Sequence, residues 1–344
     1  MANAAPQPSA DPPDVLARAA LLQSDGRPVE AIRILMEANR LERDARLEEQ
    51  LVRLRHEAFE ALDRSSDRSA VRVVPEQGPP GPLPELEPRE LTVAALRAGF
   101  ARHGCVLVRE LIPNDRAEAL ASGIDEALAA FDAAAEGTPT NETSPWYLPF
   151  TPRAGKYRVG GRRKWMRASG GMWTVDSPRM LFDVLDLVED TGVGQLITDY
   201  LGERPALSAN KCNLRRVPVD SETNWHQDGA FLGADVDSVN LWLGLSRCGV
   251  DAPGLDIVPR RLDQILETGT KGAIFDWSVS AEVVERVGTP VLRPELGPGD
   301  ALLFDHFFLH RTGVGPGMTR ERHAIETWFF APSTYPDGQI PLVY

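Results

Sequence analysis

The sequence predicts an α+β protein, with a jelly-roll core, flanking helices and a small helical appendage at the N-terminus. Three observations predict it. Beyond residue 202 the apolar runs are short and separated by Gly, Pro and Asp turns, the pattern of a sandwich or barrel. In one of these runs Val239, Leu241, Leu243 and Leu245 alternate with Asn240, Trp242 and Gly244, the period of two expected of a strand. Before residue 65, by contrast, Leu47, Leu51, Leu54, Ala58 and Leu62 recur at steps of four and three, which puts them on one helical stripe. At 344 residues the chain is long enough for a core domain of about 250 residues beside a smaller appendage.

Taken in order, residues 1–13 are rich in Ala, Pro and Asp and are expected to be disordered, because they have little to bury. Three helices follow, near 14–23, 28–41 and 44–64, with Ser24-Asp25-Gly26 breaking the first from the second. They form the appendage, packed on the main domain or on a protein partner. Between residues 65 and 90 stand Pro75, Pro79, Pro80, Pro82, Pro84 and Pro88, which favour an extended linker. The domain proper is expected over 91–344. Thr92 can cap a helix ending at Gly104, CVLVREL reads as a strand, and Asn114 opens a helix whose Leu120, Ile124, Leu128 and Phe131 share a face. A helix-rich stretch over 175–202 then leads into strands near 207–216, 237–245, 255–258, 290–293, 300–304 and 322–330.

Charge and cysteine usage narrow the function. With 37 Lys plus Arg against 50 Asp plus Glu, the net charge of −13 opposes general affinity for nucleic acid or an anionic membrane. No apolar run approaches the roughly 18 residues of a bilayer span, and the N-terminus lacks a leader pattern. Cys105, Cys212 and Cys248 lie far apart with no CxxC pair, so a reducing cytoplasm is the expected location.

The chemistry gathers in Asn224-Trp225-His226-Gln227-Asp228-Gly229. On an extended strand His226 and Asp228, two residues apart, leave the same face, and they are two ligands of a 2-His-1-carboxylate iron site if a second histidine arrives from elsewhere. His310 lies 82 residues after Asp228, where a strand-like Ala301–Phe304 should bend, and Arg322 follows twelve residues later. The cosubstrate 2-oxoglutarate needs two iron positions for its 2-oxo acid end and a fixed cation for its distal carboxylate, which a guanidinium fork suits.

These segments resemble the phytanoyl-CoA dioxygenase family of Fe(II)/2-oxoglutarate oxygenases, over about Leu91 to Pro332. The likeness is carried by NWHQDG at 224–229, VNLWLGL at 239–245, GLDIVP at 254–259 and GDALLFDHFFLHRTG followed by RHAI. It implies a double-stranded β-helix, the cupin-like form of the jelly roll. It further implies that His226, Asp228 and His310 bind Fe(II) and that Arg322, assisted by Thr312, holds the C5 carboxylate of 2-oxoglutarate. Asn213 and Trp242 match positions lining the same pocket. Arg260-Arg261-Leu262 departs from the Gly-Ser-His that often follows the GLDIVP strand in relatives. Asp228 favours hydroxylation, because relatives that install halogen have a small residue there.

Other histidines compete for the metal. His306 and His310 are four apart, a helical spacing, but their flanks read as β and only His310 is followed by Arg-Thr-Gly. His323 would point to the opposite face from Arg322, and His56 and His103 read as ordinary surface or edge residues of helices.

From Thr143 to Val175 there is no acidic residue, while Arg153, Lys156, Arg158, Arg162, Arg163, Lys164 and Arg167 fall within fifteen positions. This stretch reads either as a lid that recognises an anionic substrate, with Lys164 and Arg167 reaching the pocket, or as a solvated loop paired with acidic helices. The expected activity is thus hydroxylation of an unactivated C–H bond in a small anionic molecule, with Fe(II), 2-oxoglutarate and O2. Desaturation, cyclisation or epimerisation would use the same ligands. A non-catalytic interaction protein working through residues 14–64 is the reading from a different class.

Overall fold

The computed structural model describes residues 11–62, 64, 81–153, 157, 159, 161–221 and 223–344. Helices α1 (Pro12–Ser24), α2 (Pro28–Leu41) and α3 (Ala45–Glu57) lead, α3 continuing into a 3-10 turn over Ala58–Ala61. Strand β1 (Glu85–Leu86), α4 (Val93–His103), β2 (Cys105–Val108), α5 (Asn114–Ala135) and the short α6 (Thr140–Thr143) follow. Then come α7 (Arg162–Ala168), β3 (Gly171–Trp173), α8 (Pro178–Asp190), α9 (Val193–Leu201), β4 (Ala206–Ser208) and β5 (Asn213–Val217). The last part holds α10 (Gly229–Leu232), β6 (Ser238–Gly244), β7 (Gly254–Ile257), α11 (Ala281–Arg286), β8 (Ala301–Phe304), β9 (His310–Gly313), β10 (Arg322–Phe330) and β11 (Pro341–Val343). None of the described helices is long and apolar enough to cross a membrane.

Nine strands form one mixed sheet in the order β1-β2-β8-β6-β10-β4-β11, with β5 also on β10 and β3 on β5. Only the β1–β2 pair is parallel. β10 is long enough to pair with β6 along one edge and with β5 and then β4 along the other, so it fixes the register of the whole. β7 and β9 make a second, two-stranded sheet.

Alternation then sorts the side chains. Leu241, Leu243, Leu303, Ile325 and Phe329 join the helices in one core, whereas Trp242, Leu302, Phe304, Ala324 and Trp328 pack with Leu255 and Ile257 of β7 in another, between the two sheets. Each fully buried Leu, Ile or Phe contributes about 1.5–3 kcal/mol.

The N-terminal helices share the first of these cores with α8 and β11 rather than standing apart. Glu48 on α3 is withdrawn from water and accepts hydrogen bonds from Arg43 (2.9 Å), Arg179 (2.7 and 2.9 Å) and Asn39 (3.2 Å). Arg40 adds pairs to Asp186 and Glu189, Arg43 to Asp183, and Arg55 donates to the Val343 carbonyl at 2.7 Å.

Several sequence expectations need correction. α1 already begins at Pro12, inside the stretch read as disordered, because a proline suits the first helical turn; residues 1–10 lie outside the described residues. Of the linker, 65–80 also lie outside them, but Glu85–Leu86 forms an edge strand, held by a bidentate Arg109–Glu85 pair. The strand expected at 207–216 is two strands, since a turn at Ala209–Cys212 passes β4 and β5 to different parts of β10. Residues 290–293 make only an isolated bridge from Leu292 to Ile257. His103 is buried at the end of α4 rather than on the surface. His56 is half-buried, with Nδ1 at 2.9 Å from the Pro341 carbonyl.

Candidate metal centre

His226 and His310 are brought together by the backbone. Each donates its N–H to the other's carbonyl, at 3.0 and 3.1 Å, so the segment carrying His226 continues the small sheet beyond β9. Their side chains are oriented alike: Nδ1 of His226 lies 2.8 Å from the Asn224 carbonyl and Nδ1 of His310 lies 3.1 Å from the Phe308 carbonyl. A carbonyl can only accept, so each Nδ1 carries the proton and each Nε2 presents its lone pair. The ring centroids stand 4.4 Å apart.

Asp228 turns out of the extended segment at the start of α10, its carbonyl accepting from Phe231 (3.1 Å) and Leu232 (2.9 Å). Gly229 makes this turn possible: a Cβ there would lie 2.4 Å from Ile265 Cδ1 and 3.0 Å from the His306 carbonyl. The carboxylate reaches 3.7 Å from His310 Nε2. One ligand atom from each of His226, Asp228 and His310 lies within 4.8 Å of the others, and the three form a group able to hold a metal ion. Burial, reinforced by His310, pushes the His226 pKa down to about 4, which keeps the ring neutral and able to ligate.

The other histidines are spoken for. His306 contacts Ser238 Oγ (3.0 Å) through Nδ1 and the Ala234 carbonyl (3.2 Å) through Nε2, and burial lowers its pKa. His323 lies on the opposite face of β10 from Arg322 and meets Asp125 at 3.0 Å.

Arg322 opens β10 and is 1% exposed. Its Nη1 donates to the Gly254 carbonyl (2.8 Å), its Nη2 reaches Thr312 Oγ1 (3.4 Å), and its guanidinium stands 5.4 Å from the centre of the Trp242 ring. Its Nε has no partner, no carboxylate pairs with it among the described residues, and burial depresses its pKa to about 10. Thr312 is two residues from His310 on β9 and so faces the same side. Asn213 and Trp242 both sit in register with Glu326, on the face of β10 that carries Arg322. Asn213 Nδ2 donates to Glu326 (3.0 Å), while Asn213 Oδ1 and Trp242 Nε1 are buried without partners.

Lys164 stands exposed on α7, and Arg167 is spanned by the Asp132 carboxylate at 2.8 and 2.6 Å. Neither joins the group around the three ligands and Arg322. Arg163, in the same basic stretch, is likewise tied to the buried Asp176 (2.6 and 2.8 Å) and the Phe150 carbonyl (2.6 Å). Lys156 and Arg158 lie outside the described residues.

Sequence reasoning missed two residues here. Gln227, between the ligands, points the other way and is held by the carbonyls of Gln264 (3.1 Å) and Phe307 (2.6 Å) and by the Leu266 N–H (2.7 Å); strand alternation was the available signal. Lys211 brings Nζ to 3.7 Å from Asp228 and 3.4 Å from the Phe231 ring centre. Burial lowers its pKa against the opposing pull of Asp228. Nothing in its local sequence marked it.

No protein-family model matches the chain, and no curated protein matches it in sequence. Solved structures do match in chain path. EctD from S. alaskensis with 2-oxoglutarate and 5-hydroxyectoine is 16% identical, with a TM-score of 0.49 over 79% of this chain and 88% of that one. AviO1 from Streptomyces viridochromogenes Tue57 is 19% identical, with a TM-score of 0.46 over 72% and 98%. The non-heme α-ketoglutarate dependent carbocyclase SnoK from nogalamycin biosynthesis is 13% identical, with a TM-score of 0.44 over 71% and 85%.

Proposed function

We propose that the protein is a cytoplasmic Fe(II)- and 2-oxoglutarate-dependent oxygenase of the phytanoyl-CoA dioxygenase type, hydroxylating a C–H bond of a small molecule. In this reading the two facing sheets are a distorted double-stranded β-helix. The observation that carries it is Arg322, a buried guanidinium without a carboxylate partner, set beside Thr312 two residues along the strand from His310. A cation so placed costs several kcal/mol unless an anion meets it, and the distal carboxylate of 2-oxoglutarate is such an anion.

The residues present fit the cofactors. His226 and His310 offer Nε2 and Asp228 offers an oxygen, a set suited to Fe(II) that leaves coordination positions for a 2-oxo acid and O2. When bound, iron and 2-oxoglutarate supply the oxidising chemistry: O2 and the 2-oxo acid give succinate and CO2 while the substrate C–H becomes C–OH. The chain's own part is positioning. Arg322 and Thr312 fix the distal carboxylate, Trp242 and Asn213 line the space between, and the Nδ1 hydrogen bonds keep both imidazoles in the ligating tautomer. Desaturation, cyclisation or epimerisation would need the same set and differ only in how the substrate is placed.

Anaerobic titration of the metal-free protein with Fe(II) and 2-oxoglutarate tests this. A weak visible charge-transfer band should form, and should vanish in His226→Ala and His310→Ala. Folded protein that gives no band would refute the assignment.

A further inference from the structure

Two of the nine large apolar side chains exposed among the described residues, Phe231 and Phe275, connect through ring contacts to the metal centre. Phe231 follows Asp228 on α10, and its ring is 6.4 Å from that of His226. Trp277 stands 5.6 Å from the His226 ring on another side, nearly perpendicular to it. Phe275 lies parallel to Trp277, with centroids 5.1 Å apart and planes 6° apart, and Phe231 meets Trp277 at 84°. The rings therefore make a corner: a flat double layer on one side, an upright ring on the other, and a metal-ligand imidazole between them.

The corner is held rigidly. Phe275 N–H donates to Ser278 Oγ (3.0 Å), Ser278 N–H returns to the Phe275 carbonyl (3.0 Å), and Val279 N–H donates to the carbonyl of Trp225, next to His226 (2.8 Å). Aromatic surface left exposed forgoes burial energy, and a contiguous exposed patch at the edge of a site is where such surface is put to use. Lys211, above the Phe231 ring, adds positive charge at the same edge.

We propose that this corner is the substrate subsite and receives a planar aromatic ring, laid against Phe231, Phe275 and Trp277 so that a substituent carbon projects past His226 to the metal. This rests on the oxygenase reading for the chemistry but not for the binding. Offset and edge-to-face ring contacts are worth enough beyond area burial to favour a planar ring over a saturated one by about ten-fold.

Two probes of equal charge and framework test it, 2-naphthoate and decalin-2-carboxylate, titrated calorimetrically into the full chain with and without Zn(II). The expected result is naphthoate binding about ten-fold tighter than decalin-2-carboxylate, and falling about five-fold or more in Phe231→Leu and in Phe275→Leu. Those variants keep apolar bulk, and urea unfolding should show them folded as the parent is. Equal affinities, no binding, or naphthoate binding unchanged in Phe231→Leu and in Phe275→Leu would each overturn the proposal. Ring-dependent binding without the Fe(II)/2-oxoglutarate band would sink the oxygenase reading alone. The band without ring-dependent binding would sink this one alone.

Discussion

Glu48 and Arg322 are both withdrawn from water, yet their surroundings differ. The carboxylate of Glu48 meets two guanidiniums and an amide, whereas the guanidinium of Arg322 meets a carbonyl and a hydroxyl and leaves Nε unpaired. The first charge is answered within the fold and joins α3 to α8. The second is not, and under the proposed function that deficit is where the distal carboxylate of 2-oxoglutarate would be held. Burial alone does not separate the two roles, since Arg55 is also buried without a carboxylate. Its place is the contact of α3 with β11, where the Val343 carbonyl receives it. What marks a binding charge is want of a partner together with a place on the ligand-bearing face.

The contrast can be broken experimentally. Glu48→Ala should cost about 3 kcal/mol of stability in urea unfolding, because it takes from Arg179 its carboxylate and leaves Arg43 with Asp183 alone, while 2-oxoglutarate affinity stays within about two-fold of the parent. Arg322→Met should do the reverse: stability unchanged or raised, and 2-oxoglutarate affinity, read from the anaerobic charge-transfer titration, reduced about 100-fold. A large stability loss in Arg322→Met would erase the distinction.

Acid should act on the metal side of the comparison. The pKa of His226 is lowered to about 4, and that of His306 is lowered too, so between pH 6.5 and 4 the unfolded chain binds protons that the folded one refuses. The stability of the metal-free protein should therefore fall as pH drops through that window, by about 3 kcal/mol for His226, and level off below it. Urea midpoints across the window measure this, and a His226→Asn variant should flatten the slope. The smallest effect is expected for Thr312→Val, which removes one weak donor–acceptor contact to Arg322 and should weaken 2-oxoglutarate about five-fold, with no change in unfolding midpoint.

Much of this was legible in the sequence because it rests on short-range pattern. The stripe through Leu47, Leu51 and Leu54 and the alternation through Val239–Leu245 each belong to elements the structure contains. His226, Asp228 and His310 meet, although their meeting depends on pairing across the chain that no local pattern records. β9 has four residues, His310–Gly313, too short and too polar to show a period, so the sequence offered only a bend there. The basic stretch left two readings open for a different reason: Asp132 and Asp176, which take up Arg167 and Arg163, lie outside its acid-free span, and the Arg167–Asp132 pair is of the kind the loop-and-acidic-helix reading expects. The corner of Phe231, Phe275 and Trp277 is assembled from the single turn of α10 and the loop before α11, both too short for ring spacing to carry a periodic signal.

The reciprocal backbone bonds between His226 and His310 bear on how a metal would be taken up. The two ligands are 84 residues apart in the chain (310 − 226), and bringing such ends together from a flexible state carries a closure entropy of several kcal/mol. Here the backbone bonds between the His226 segment and β9 close that loop on their own account, apart from the ligand side chains. Metal would then stabilise the native state by mass action without being needed to create it, so chelation should leave a folded apoprotein that reloads on addition of metal, without a refolding step.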